Sequence, residues 1–78
     1  MNPHIEKMVG NNVRIIRERN QMTQNEVAAK LQVAGCDITR SALAKIEVGQ
    51  RHLYPDEIIA LRTILNVTYD ELLTIGKE

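Results

Sequence analysis

The stretch Thr23–Glu47, TQNEVAAKLQVAGCDITRSALAKIE, decides the fold. Thr23 followed three residues later by Glu26 forms a capping box, in which each side chain satisfies a backbone N–H left open at a helix start. The helix it begins has Val27, Ala28 and Leu31 on its apolar face. A second helix opens at Thr39, behind apolar Ile38. It carries Leu43 and Ile46 at helical spacing, while Arg40, Ser41, Ala44 and Lys45 fall on the other side. The stretch therefore reads as two short capped helices joined by a glycine-containing turn, the second with one face to pack and one left free.

Working outward, Asn2 and Pro3 mark a helix start, and Ile5, Val9, Val13 and Ile16 recur at spacings of four, four and three, so one helix is expected to reach about Arg19. Gly10, Asn11 and Asn12 weaken its middle by about 1 kcal/mol or more relative to alanine, which leaves open a separate arm ahead of Val9. Asn20, Gln21 and Met22 connect to Thr23. Beyond the quoted stretch, Gly49 closes a helix and a loop runs through Gln50, Arg51, His52, Leu53 and Tyr54. Pro55 opens a fourth helix with Ile58, Ile59, Leu61 and Leu65, which Asn66 ends. Thr68 and Glu71 form a second capping box before Leu72, Leu73 and Ile75. Five helices in a single all-α domain, residues 1–78, are expected.

These residues resemble the Cro/CI-type helix-turn-helix regulators, the XRE family. Val13, Ile16 and Arg17 match its first helix; Thr23, Gln24, Val27, Ala28 and Leu31 match TQxxLAxxL; TRSALAKIEVG, residues 39–49, matches SxxxIxxxExG; and Ile58, Leu61, Leu65, Val67 and Leu72 follow its trailing helices. The resemblance implies a compact lambda-repressor-like fold that binds double-stranded DNA, with a repressor as the expected role. One departure is plain. The span from Thr23 to Glu47 is about five residues longer than the family's pattern, whose turn takes only ~3–4 residues. Either the second helix extends by about one turn to a C-cap near Gly35, or it ends at Leu31 and the turn loops out; the extension is expected, because Gln32 and Val33 continue a helix and Gly35 terminates one.

Within this pattern Arg40, Ser41, Ala44 and Lys45 project together from the third helix and are the expected base contacts, since the major groove admits a helix. An arginine there can grip both acceptors of guanine. Gln24, at a helix start whose N–H groups and dipole favour an anion, and Thr39, as a cap, are expected at phosphates. Gln50 and Arg51 resemble the family's loop beside the DNA backbone, with Arg51 the strongest phosphate candidate. The resemblance also pairs Arg17 with Glu47 in a partly buried salt bridge that holds the first helix against the third.

Composition narrows the alternatives. A chain of 78 residues with 44% apolar and 26% charged residues is an ordinary small globule, and no apolar run approaches the ~20 residues that cross a membrane. The N-terminus lacks a signal peptide's apolar core, so a cytoplasmic location is expected. Cys36 is the only cysteine, and His4 and His52 stand apart, so neither a disulfide nor a metal site is expected; Cys36 reads as a small apolar filler in the turn. No cofactor is implied. No phosphate loop and no nucleophile with a base stands in a known motif, which argues against an enzyme. Two tyrosines, with neither tryptophan nor phenylalanine, make a poor stacking platform for single strands.

A net charge of zero is awkward for a DNA-binding chain, and distribution has to supply what the sum does not. Arg14, Arg17, Arg19, Lys30, Arg40, Lys45 and Arg51 lie in or beside the reading unit, whereas Asp56, Glu57, Asp70, Glu71 and Glu78 crowd the C-terminal third. Leu53, Tyr54, Leu72, Leu73 and Ile75 are read equally as core or as the apolar stripe of a homodimer, and a dimer implies a palindromic operator. The rival reading is a protein-interaction module on the same fold, such as an antitoxin-like or co-regulator subunit with a protein partner. No effector-binding domain is expected, so control would come through concentration or such a partner.

Overall fold

The computed structural model describes residues 2–74, and within them the chain forms five helices: α1 (Pro3–Arg19), α2 (Gln24–Val33), α3 (Arg40–Glu47), α4 (Pro55–Leu65) and α5 (Tyr69–Leu73). Each start has a local cause. Asn2 Oδ1 accepts from the N–H groups of His4 and Ile5, with Pro3 in the first turn where no donor is needed. Thr23 and Thr68 make complete capping boxes with Glu26 and Glu71, and Thr39 accepts from Ala42 N–H. At α4 Pro55 follows Tyr54, and only half a box forms: the Glu57 carboxylate accepts from Tyr54 N–H.

The first four helices stop in the same way, with a left-handed residue at Gln21 (φ 59°), Gly35 (φ 92°), Gly49 (φ 80°) and Asn66 (φ 56°). In each case the next residue donates back to a carbonyl five positions earlier, as from Met22 to Arg17 and from Cys36 to Leu31. Gln21 holds this conformation without glycine's freedom, at a cost of roughly 1–2 kcal/mol.

The lengthened turn takes the extended-helix route. α2 runs on to Val33 and Gly35 reverses the chain. The next residue, Cys36, then folds under Leu31 into the core, its Sγ 3.8 Å from the Asp56 carbonyl. Ile38 is fully buried, and the Gln32 side chain donates to its carbonyl at 3.1 Å. Burial raises the Cys36 thiol's pKa, with the nearby carboxylates Asp56 and Glu57 adding to the effect, so the thiol is inert filler.

α1 also forms without interruption, so no separate arm precedes Val9. Its weak middle has a tertiary use: Gly10 is buried against the end of α3, and Asn12 Nδ2 donates to the carbonyls of Leu72 (3.0 Å) and Thr74 (2.9 Å), fastening α5. α1 packs on α3 and α5, and α2 on α3 and α4, around Val13, Ile16, Val27, Leu31, Leu43, Ile46, Leu61, Leu65 and Leu72. Leu53 belongs to this core too, whereas Tyr54, Ile59 and Leu73 are exposed; Ile75 lies outside the described residues. No helix among the described residues is long and apolar enough to cross a membrane.

Candidate nucleic-acid interface

The short α3 buries Leu43, Ile46 and Glu47 and turns Arg40, Ser41 and Lys45 outward, with Ala44 half-buried between them. Beside it runs an open groove whose other wall is the C-terminal half of α1 and the first turn of α2. Arg40, Ala44, Val48, Arg14, Gln24 and Asn25 all line it. Val48 and Asn25 were not singled out in the sequence, and Arg14 only as one of the basic residues in or beside the reading unit. The helical repeat would have found Val48, which follows Ala44 by one turn on the same face.

At the base of the groove a buried network fixes α3. Arg17 Nε donates to Glu47 Oε2 at 2.7 Å and Nη2 to Oε1 at 3.1 Å, while Nη1 donates to the Met22 carbonyl at 2.9 Å. Both side chains are nearly closed off from solvent, at 10% exposure for Arg17 and 1% for Glu47. Hydrogen bonding to Glu47 raises the Arg17 pKa against the opposing effect of burial, so the guanidinium stays charged. Gln24 joins the network, its Nε2 donating to Glu47 Oε1 at 3.0 Å. One amide N–H of Gln24 is therefore used internally and the second is left over. Thr39 accepts from Ala42, which leaves its hydroxyl proton unassigned.

The loop after α3 differs from its appearance in sequence. Gln50 is exposed, but Arg51 is held in a two-bond fork by Glu57, with Nη1 to Oε1 at 2.9 Å and Nη2 to Oε2 at 3.1 Å. It also donates to the His52 carbonyl and lies over the Tyr54 ring, 5.8 Å from its centre. Its charge is thus compensated at close range. His52 is bonded to Glu6 on α1, Nδ1 to Oε2 at 2.7 Å. Burial acts to raise the Glu57 pKa, but hydrogen bonds from Arg51 and Tyr54 N–H outweigh it and hold the carboxyl below its ordinary value of 4.5.

That depression carries a sign. A carboxyl whose folded pKa lies below its unfolded one contributes stability fully present above about pH 4.5, and loses it as pH falls through the folded value. Thermal unfolding followed from pH 7 down to pH 3 is expected to show a decline beginning below that point, and Glu57→Gln should flatten it. An unchanged acid limb in the variant would assign the decline to other carboxylates.

Five helices with a cap-started, outward-facing α3 lodged against α2 define a helix-turn-helix DNA-binding fold. A helix-turn-helix family model matches residues 13–72, and the chain belongs to this family of Cro/CI-type regulators. Comparison with curated proteins and with solved structures gives no match.

Proposed function

We propose that this protein is a sequence-specific transcriptional repressor that lays α3 in the major groove of a palindromic operator. The observation that carries this reading is the outward face of α3: Arg40, Ser41 and Lys45 are exposed together on it, and neither cation has an ion-pair partner among the described residues. Arg40 reads guanine, Lys45 and Ser41 add donors, and Ala44 meets a thymine methyl. Thr39 and Gln24 reach phosphates with their spare donors, and Gln50 with its free amide. Arg51 contributes only the N–H groups that its fork with Glu57 leaves open.

The free cations also answer the problem of zero net charge. Arg14, Arg17 and Arg51 are matched locally by Glu18, Glu47 and Glu57, so the face along α3 carries charge that the sum conceals. Residues 1–78 act as one cytoplasmic domain. Of the candidate dimer residues, Leu53 and Leu72 are spent in the core, and the exposed Tyr54 and Leu73 support pairing of two copies through the C-terminal side. Two α3 helices would then meet half-sites about one DNA turn, ~34 Å, apart.

Fluorescence anisotropy against the duplex upstream of the protein's own gene, at several salt concentrations, tests this. Tight salt-sensitive binding is expected, with the double variant Arg40→Ala, Lys45→Ala weakening it by about thirtyfold or more at ~1–3 kcal/mol per base contact, while remaining folded by circular dichroism. Binding no stronger than to random DNA would favour the protein-interaction module instead.

A further inference from the structure

The first turns of α1 precede the family match, which begins at residue 13, yet they pack against the exit of α3. Gly49 sits so close to α1 that a Cβ there would stand 2.7 Å from Lys7 Cα and 2.8 Å from Lys7 Cβ. Glu6, one residue earlier, takes the His52 imidazole. Lys7 is thereby placed directly beside the loop that leaves the reading helix, and its side chain is exposed. It also lies on the same side of α1 as Arg14, since residues seven apart drift by only ~20° around a helix. Arg14 lines the groove next to α3.

At this end of α3 the basic groups of the loop are already matched, Arg51 by Glu57 and His52 by Glu6. Lys7 has no ion-pair partner among the described residues. We propose that Lys7 is a phosphate-contacting residue, supplying from α1 positive charge beside a loop whose own guanidinium, Arg51, is paired with Glu57 of α4. Arg40 near the start of α3, Lys45 in its last turn and Lys7 at its exit are then unmatched cations spread over the length of a helix whose eight residues span ~12 Å at ~1.5 Å per residue. This inference rests on the DNA-binding reading above.

The test compares Lys7→Gln, Lys7→Arg and Lys30→Gln by anisotropy on operator and random duplexes across a salt series, with folding checked by thermal melts. Lys30 is an exposed cation in a different groove, between α2 and α4, beside Thr63 and Ile64, and its loss changes net charge equally. One phosphate contact is worth ~0.9 in the slope of log affinity against log salt, or about a fivefold loss at ~0.15 M salt. Lys7→Gln is expected to show that loss on both duplexes alike, leaving their ratio unchanged, while Lys7→Arg and Lys30→Gln keep the wild-type slope. Equal effects at Lys7 and Lys30 would reduce the matter to net charge and overturn the inference. An unchanged slope in Lys7→Gln, with wild-type binding intact, would overturn it and leave the DNA-binding reading standing. A wild-type protein without salt-dependent binding would remove both.

Discussion

Gly10→Ala is expected to destabilise the protein by about 3 kcal/mol or more, although helix propensity alone favours alanine by ~0.8–1 kcal/mol. The sign reverses because of what lies over Gly10. A Cβ there would come 2.0 Å from the Ile46 carbonyl oxygen and 3.0 and 3.2 Å from the carbonyl carbons of Ile46 and Glu47. All three are backbone atoms, so no rotamer change relieves the overlap. α1 would have to lift off α3, opening the packing of Val13 and Ile16 against Ile46 and stretching the Arg17–Glu47 pair. Overpacking typically costs ~1–3 kcal/mol where side chains can yield, and a backbone clash belongs at or above the top of that range. A domain of this size has roughly 4–12 kcal/mol in all, and each kcal/mol moves its melting temperature by about 4–8 °C. Thermal denaturation should therefore show a fall of about 12–24 °C. A variant as stable as the wild type would mean that α1 and α3 do not approach as closely as described.

The same residue shows where sequence reading reached its limit. Gly10 was legible only as a local weakness in α1, because the carbonyl that requires it is 36 positions away along the chain (46 − 10). Local chemistry was far more readable. The capping boxes at Thr23 and Thr68 and the stop at Gly35 each involve residues within about one turn, and all formed as written. Gln21 was missed as a left-handed terminator because nothing in a glutamine announces it. The outward set on α3 followed from helical period, and the Arg17–Glu47 pair from the family pattern. The loop after α3 was legible only in part: Arg51 was read as the strongest phosphate candidate, and the carboxylates that hold Arg51 and His52, Glu57 and Glu6, are supplied by α4 and α1. Spacing along one helix can be counted in a sequence, whereas matching of charges between elements needs the fold.

Arg17→Met is expected to cost about 3–5 kcal/mol, because it leaves the Glu47 carboxylate buried without its cation and with only the Gln24 amide still donating to it. Glu47→Gln should cost less. Arg17 would keep its bond to the Met22 carbonyl and the 3.8 Å approach of Glu18, a half-exposed carboxylate. Replacing both partners, as Arg17→Met with Glu47→Leu, removes the stranded charge, and such exchanges for apolar residues of similar volume are often neutral or stabilising. Urea unfolding of Arg17→Met, Glu47→Leu and the double should accordingly give a coupling of up to about 3 kcal/mol, and strictly additive losses would mean that the two side chains do not act as a pair. The double variant also separates stability from reading. Glu47 is the last residue of α3 and Arg17 lies in α1, so their two-bond fork fixes the direction in which Arg40 and Lys45 are presented. A Met–Leu contact is non-directional and sets no such angle. The double variant should thus be folded and yet discriminate operator from random duplex less well than the wild type, a loss that stability alone does not account for.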